Sequence, residues 1–122
     1  MKFFAAVNCM DGRVQLPVNT YLKDRFDVDY IDTITEPGPN RILAEQENET
    51  AIESILARLR ISVEKHKASG IAVIGHHDCA GNPVAEDKQR DDLEKAVSFL
   101  NGHFDVPVIS LWVDDQWSVK EI

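Results

Sequence analysis

Two cysteines and one histidine, Cys9, His76 and Cys79, are of the residue types that bind zinc. Each lies just after a short apolar run, and two residues separate His76 from Cys79, so one tight turn can present both side chains to a single ion. Three ligands leave one position of a tetrahedral ion free for water, as catalytic zinc sites do. The pattern therefore predicts a catalytic-type zinc site.

Other interpretations of these residues stay open at this point. His77 or Asp11 could supply a fourth ligand and close the site. A cysteine considered alone is usually a small buried hydrophobic residue. The two cysteines could also form a redox pair, but the chain has no C-x-x-C motif, so this alternative ranks low. The coincidence of two cysteines and a histidine at neighbouring strand ends favours the metal.

A carboxylate and a guanidinium follow Cys9 in the same loop, at Asp11 and Arg13. A carboxylate in this position can accept a hydrogen bond from metal-bound water, and the planar guanidinium can hold the carboxylate in place. The alternative is an incidental surface ion pair, which would contribute little stability. Beside a metal-binding loop, we favour a pair that acts together in catalysis.

The elements that must position these residues alternate along the chain. Apolar and β-branched patterns predict strands at Lys2–Val7, Val28–Ile34, Ile71–Gly75 and Val106–Trp112, with Trp117–Ile122 as a short edge strand or a tail. Helical spacing predicts three helices between them. The first has Pro17 in its first turn, the second has Thr50 in a capping-box pattern and Gly70 at its end, and the third is capped by Asp91 or Asp92.

This alternation predicts an α/β fold with a mostly parallel sheet of four to five strands and helices on both faces. The first and third strands are the most apolar, so we expect the strand order 2-1-3-4, with the switch point between strands 1 and 3. Ligands bind outside the carboxyl ends of strands at such a point. Cys9 lies just past the end of strand 1, and His76 and Cys79 lie just past the end of strand 3.

The composition indicates one domain, 1–122, because a chain of this length can form a core but leaves no room for a second one. The net charge of -8 argues against a nucleic-acid partner. The apolar run near the N-terminus is too short for a signal peptide, and no segment reaches the ~20 apolar residues of a membrane span. We therefore expect a cytoplasmic protein without a membrane partner.

Two segments resemble the motifs of the β-class carbonic anhydrases. Cys9–Arg13 matches C-x-D-x-R, and Gly75–Gly81 resembles G-H-x-x-C-G, with Ala80 in place of the usual glycine. More loosely, Leu111–Asp115 resembles the strand and turn that follow the second motif. The order and separation of the first two motifs make the combination specific.

The resemblance implies a zinc lyase that hydrates carbon dioxide reversibly to bicarbonate, with Cys9, His76 and Cys79 as the zinc ligands. Zinc would lower the pKa of its bound water toward ~7 and so give hydroxide at neutral pH. Asp11 would orient that hydroxide, and Arg13 would fix Asp11. The resemblance also implies a homodimer or higher homo-oligomer, with a pocket completed by another subunit. The sequence does not identify the proton shuttle.

The chain departs from the family around the substrate pocket. Its first strand starts at the N-terminus, so we expect neither the helices nor the glutamine that many members have upstream. The family's R-N-A-G-N segment corresponds at best to Glu36–Asn40, which we expect to continue neither a strand nor a helix. Two alternatives therefore stay open: a zinc hydrolase of carbon disulfide or carbonyl sulfide, and a non-catalytic zinc-binding or regulatory protein. The presence of Asp11 and Arg13 argues against the second.

Overall fold

The computed structural model describes residues 1–122 as five strands and four α-helices. The strands are β1 (Phe3–Cys9), β2 (Tyr30–Glu36), β3 (Ile71–His76), β4 (Val108–Val113) and β5 (Val119–Glu121). The helices are α1 (Gln15–Phe26), α2 (Pro39–Glu45), α3 (Glu49–Arg60) and α4 (Glu86–Asn101). A 3₁₀ turn, Gly12–Val14, precedes α1, and a π-helical turn, Ile61–Lys65, extends α3. None of the helices has the length and apolar character needed to cross a membrane.

The strands form one sheet in the order β2-β1-β3-β4-β5, in which only β5 is antiparallel to its neighbour. This confirms the predicted α/β fold and the predicted order of the first four strands. Pairing between β1 and β3 stops at Val7 and Val73, before either strand ends. The two strands therefore separate toward their carboxyl ends, and Cys9 and His76 lie at this opening.

The core has two apolar layers because successive residues of a strand point to opposite faces of the sheet. In β1, Ala5 and Val7 belong to the layer formed with α2, α3 and α4. Phe4 and Ala6 belong to the layer formed with α1. Helices therefore cover both faces, as predicted. The central strands β1 and β3 are buried almost throughout, so the residues at their ends are held by well-packed backbone.

The helix α2 was not expected, because the sequence of Glu36–Asn40 contains two prolines and a glycine. The structure corrects this prediction: Glu36 ends β2, and α2 begins at Pro39. Gly38 precedes the helix with a left-handed φ of 61°. Proline is tolerated in a first helical turn because its missing N–H would have no partner there. The segment thus ends a strand and starts a helix.

The boundaries of α3 also differ from the prediction. Asn48, not Thr50, caps its N-terminus by accepting a hydrogen bond from the Ala51 N–H at 3.1 Å. Asparagine is at least as good an N-cap as threonine, so the earlier residue starts the helix. Gly70 does not end α3 but leads into β3, where an added Cβ would lie 2.5 Å from the ring of Phe4. This glycine serves close packing instead.

The third predicted helix, α4, begins earlier than expected. It starts at Glu86 rather than near Asp91. Asp92 lies inside the helix, is buried, and accepts a hydrogen bond from Asn82 Nδ2 at 2.9 Å. The sequence position of Asp92 predicted a helix cap, but in the structure its carboxylate makes a tertiary contact instead.

Candidate metal centre

Cys9, His76 and Cys79 converge at the carboxyl edge of the sheet, between β1 and β3. The sequence placed Cys9 and His76 just past the ends of β1 and β3. In the structure they are the last residues of these strands. Cys79 follows a turn in which Asp78 has a left-handed φ of 58°. All three side chains are buried, and one ligand atom from each lies within 4.8 Å of the other two. The His77 ring and the Asp11 carboxylate lie outside this group.

The distance between the two sulfur atoms suits a shared metal ion. Cys9 Sγ and Cys79 Sγ are 3.9 Å apart, and both cysteines are free. Two sulfurs bound to a tetrahedral zinc ion at about 2.3 Å would be separated by about 3.8 Å. The sulfurs therefore fit zinc without rearrangement.

The two ring nitrogens of His76 have different surroundings. Nδ1 lies 2.7 Å from the carbonyl oxygen of His77, and because a carbonyl can only accept, Nδ1 carries the hydrogen. In the neutral ring the lone pair is then on Nε2, which is buried and has no hydrogen-bond partner. A buried polar atom without a partner costs free energy. Metal-binding histidines are oriented in this way, so the donor set fits a metal ion.

The electrostatics of the cluster favour a thiolate at Cys9. A hydrogen bond from Cys79 lowers the pKa of Cys9, with further help from the backbone N–H groups of Gly38 and Asp11, although burial opposes the shift. The same sulfur–sulfur hydrogen bond, together with burial, raises the pKa of Cys79. A divalent cation bound between the two sulfurs would stabilise both of them as thiolates.

Asp11 and Arg13 form a tight pair beside the cluster. The guanidinium donates from Nη2 to Asp11 Oδ2 at 2.7 Å and from Nε to Oδ1 at 3.0 Å. The backbone N–H of Arg13 also donates to Oδ1, at 2.9 Å. These hydrogen bonds from Arg13 lower the pKa of Asp11 to about 2. Asp11 is therefore a charged acceptor with a fixed orientation.

Arg13 has further partners that the sequence did not indicate. It donates from Nη1 to Asp78 Oδ2 at 3.2 Å and from Nη2 to the Asp78 carbonyl at 3.1 Å. Its guanidinium also lies over the indole of Trp117, 4.5 Å from the ring centroid. Trp117 belongs to the turn between β4 and β5 and has a left-handed φ of 60°. The segment Leu111–Asp115, which resembles the strand and turn that follow the second motif, thus leads to Trp117, which contacts Arg13.

A cleft of about 490 Å³ reaches the cluster from the surface. Its walls include the Asp11–Arg13 pair, Cys79 and His77. Any small molecule that approaches Cys79 from solvent through this cleft therefore passes a carboxylate and an imidazole. Val84 also lines it and is exposed.

Two loops near the cleft cross at Gly38 and Gly81, where their backbones are in close contact. A Cβ on Gly38 would lie 2.6 Å from the carbonyl carbon of Gly81, and a Cβ on Gly81 would lie 2.3 Å from that of Pro37. No other residue type fits either position without moving the backbone. Ala80, which stands where the family usually has glycine, is exposed. The requirement for glycine falls on Gly81, so the departure at Ala80 leaves the loop intact.

The fold and the site can be compared with known proteins. A family model described as “Putative carbonic anhydrase” matches residues 1–122. No curated protein sequence matches the chain. Among solved structures, the chain is similar to the β-carbonic anhydrase CafA of the fungal pathogen Aspergillus fumigatus, with a TM-score of 0.55 and 11% sequence identity. The similarity covers 98% of this chain and 74% of that one, and at this identity it shows a shared fold.

Proposed function

The chain belongs to the carbonic anhydrase family whose model it matches, and we propose that it is a zinc lyase that reversibly hydrates carbon dioxide to bicarbonate. The observation that carries the proposal is the group formed by Cys9, His76 and Cys79. It offers two sulfurs and one unpartnered nitrogen, with no fourth protein ligand. A three-ligand set of this kind is typical of catalytic zinc.

The residues around the cluster have separate tasks in this proposal. Zinc, when bound, would supply a water of lowered pKa that can act as a nucleophile near neutral pH. Asp11 accepts a hydrogen bond from the nucleophile and so directs its lone pair toward carbon dioxide in the cleft. Arg13 keeps the Asp11 carboxylate in one orientation and ionised. His77 lines the same cleft and is the histidine placed to pass a proton toward solvent.

His66, a second histidine outside the cluster, does not line the cleft. Its ring stacks on Phe3, at the start of β1, with 4.5 Å between ring centroids. Its Nδ1 is 2.7 Å from Asp32 Oδ2. This position is at the opposite end of the strand from Cys9, so we assign His66 no part in the reaction.

We propose that the chain is one zinc domain that acts as a homodimer or a multiple of one. Two large apolar side chains flank the loop that carries Asp11 and Arg13: Met10 is 63% exposed and Leu16 is 75% exposed. Exposed apolar side chains of this size are of the kind that another subunit can cover. The free cysteines suit a reducing compartment, and we place the protein in the cytoplasm.

Metal analysis tests the ligand set. We expect close to one zinc ion per chain after gel filtration, and Cys9→Ser or Cys79→Ser should lose most of it because a serine hydroxyl does not ionise at neutral pH. Ser62→Ala is the control, because this buried hydroxyl lies on the π-helical extension of α3. It should keep the zinc. Full zinc content in both serine variants would show that the site is misassigned.

A further inference from the structure

Gln89, in the first turns of α4, is only 1% exposed. Its side-chain amide pairs with the backbone of His76 in both directions. The His76 N–H donates to Gln89 Oε1 at 3.2 Å, and Gln89 Nε2 donates to the His76 carbonyl at 2.7 Å. The next N–H, that of His77, pairs with Val113 of β4, so the His76 groups point toward the side from which β1 has separated. The amide of Gln89 therefore pairs with the backbone groups of His76 that β1 no longer reaches.

A second buried amide supports Gln89. Asn40, in α2, donates from Nδ2 to Gln89 Oε1 at 3.1 Å. Asn82, three residues after Cys79, donates to Asn40 Oδ1 at 3.4 Å and to Asp92 Oδ2 at 2.9 Å. The amides and the carboxylate are all buried. In a low-dielectric interior, a network whose members are all paired holds its geometry firmly. It joins α2 and α4 to both segments that carry His76 and Cys79.

The absence of a side chain at Gly75 is independent evidence that the end of β3 leaves room for these amides. A Cβ at Gly75 would lie 3.1 Å from both Asn40 Nδ2 and Gln89 Oε1, and 3.0 Å from Leu93 Cδ1. Such contacts are tighter than most Cβ contacts in proteins, so the two amides and Leu93 would have to shift by a few tenths of an ångström. Glycine immediately before His76 therefore lets the two amides approach the strand end.

We propose that Gln89, supported by Asn40, is a positioning residue for the metal centre. It fixes the backbone of His76, and with it the direction in which Nε2 faces the two sulfurs. The inference rests on the proposed function in one respect, namely that the cluster binds zinc. Groups that orient metal ligands from outside the coordination sphere typically change metal affinity by roughly 10- to 100-fold when they are removed.

The dissociation constant for zinc, measured by competition with a chromophoric chelator, tests this role. Gln89→Met keeps the length of the side chain but removes the amide, so we expect zinc binding to weaken by roughly 10- to 100-fold. With cobalt in place of zinc, the thiolate charge-transfer band should shift as the ligand geometry relaxes. Leu100→Val is the control, because Leu100 is buried at the other end of α4. It should lower stability while leaving the zinc dissociation constant unchanged.

Gly75→Ala provides a second, independent variant that leaves Gln89 in place but crowds its amide. It should also raise the dissociation constant for zinc, and it serves as the test of the role of Gln89 if Gln89→Met does not fold. Zinc affinity equal to that of the parent in a folded Gln89→Met or Gly75→Ala protein would overturn the inference while leaving the proposed function intact. A parent that binds no zinc would instead refute the proposed function, and this inference with it.

Discussion

The two ring nitrogens of His76 differ in their partners, and this difference distinguishes the proposed ligand atom from the atom that orients the ring. Nδ1 is engaged by a carbonyl, while Nε2 has no partner, as is expected of a ligand atom. The Asp11 carboxylate, by contrast, accepts four hydrogen bonds from Arg13. Residues with an unused lone pair are placed to bind, and the residue already held by Arg13 is placed to orient.

Asp11→Asn should lower the rate of carbon dioxide hydration by roughly 10²-fold, the range expected for a positioned acid–base group. The amide keeps the shape but has no negative charge, and its NH₂ would face the donors of Arg13. Zinc content should stay at the parental level, because Cys9, His76 and Cys79 are unchanged. Stopped-flow hydration with a pH indicator measures the rate. A fully active Asp11→Asn variant of an active parent would contradict the assigned role.

Arg13→Ala should cost somewhat less than Asp11→Asn and should add little on top of it, because groups that act as one unit are not additive. The double variant measured by the same assay tests this. Arg25→Ala is a matched control, since Arg25 also pairs with a carboxylate, Glu121, and lies over an aromatic ring, that of Phe26. It should leave hydration unchanged. Additive losses from the two substitutions would show that Arg13 acts separately from Asp11.

The sequence allowed Asp11 and Arg13 to be paired because they are two residues apart, so their contact is local. It could not indicate Gln89, because a polar residue in an amphipathic helix is expected to face solvent. Gln89 is buried only because α4 packs where β3 ends and β1 has separated. Contacts of this kind depend on tertiary structure, and no local pattern reports them.

Among the secondary-structure elements, the strands were predicted better than the helix ends. Long apolar runs identify buried strands such as β1 and β3 regardless of their neighbours. The seven residues of α2 are too few to show helical periodicity, and an isolated helix of this length would not be stable. It is stabilised by packing against α4 and β3, through contacts such as that of Asn40 with Gln89.

The turn between β4 and β5 depends on Asp114, whose Oδ1 accepts hydrogen bonds from the N–H groups of Ser118 and Gln116. These bonds, that of Ser118 first, lower the pKa of Asp114 below its ordinary value of 3.8. A carboxyl group whose pKa is lower in the folded state stabilises the protein above its unfolded-state pKa. That contribution is lost as the pH falls through the folded-state pKa.

Asp114→Ala should therefore destabilise the protein more at pH 7 than at pH 3. The measurement is urea denaturation of parent and variant at both pH values, compared as differences so that effects common to both proteins cancel. Asp115→Ala is the control, because it removes the neighbouring exposed carboxylate and leaves the hydrogen bonds to Asp114 in place. An equal loss of stability from Asp114→Ala at both pH values would exclude the charged carboxylate as the source.

For the molecule as a whole, the strand order decides where chemistry is possible. At the switch point the buried strands β1 and β3 separate toward their carboxyl ends. This topology brings His76 and Cys79, which are 67 and 70 residues from Cys9 in the sequence, close to it. The sequence could predict this location, because right-handed crossovers leave few possible topologies. It could not predict the shape of the cleft, which depends on loop crossings such as that of Gly38 with Gly81.

Assembly is the prediction that concerns the surface. At micromolar concentration we expect a homodimer or a multiple of one by light scattering, because a second subunit would cover Met10 and Leu16. Leu16→Glu should shift the population toward monomer. Ile61→Glu is the matched control, since Ile61 is 55% exposed on the extension of α3. A strictly monomeric parent would contradict the proposed assembly and weaken the proposal of a pocket completed by another subunit.

Stopped-flow hydration of carbon dioxide by the zinc-loaded protein tests the proposed function most directly. The parent should accelerate hydration above the uncatalysed rate, in proportion to its zinc content. Cys79→Ser should give only the uncatalysed rate, because it lacks one of the three ligands. A parent that holds one zinc ion per chain and yet leaves the uncatalysed rate unchanged would contradict the assignment of carbon dioxide as the substrate.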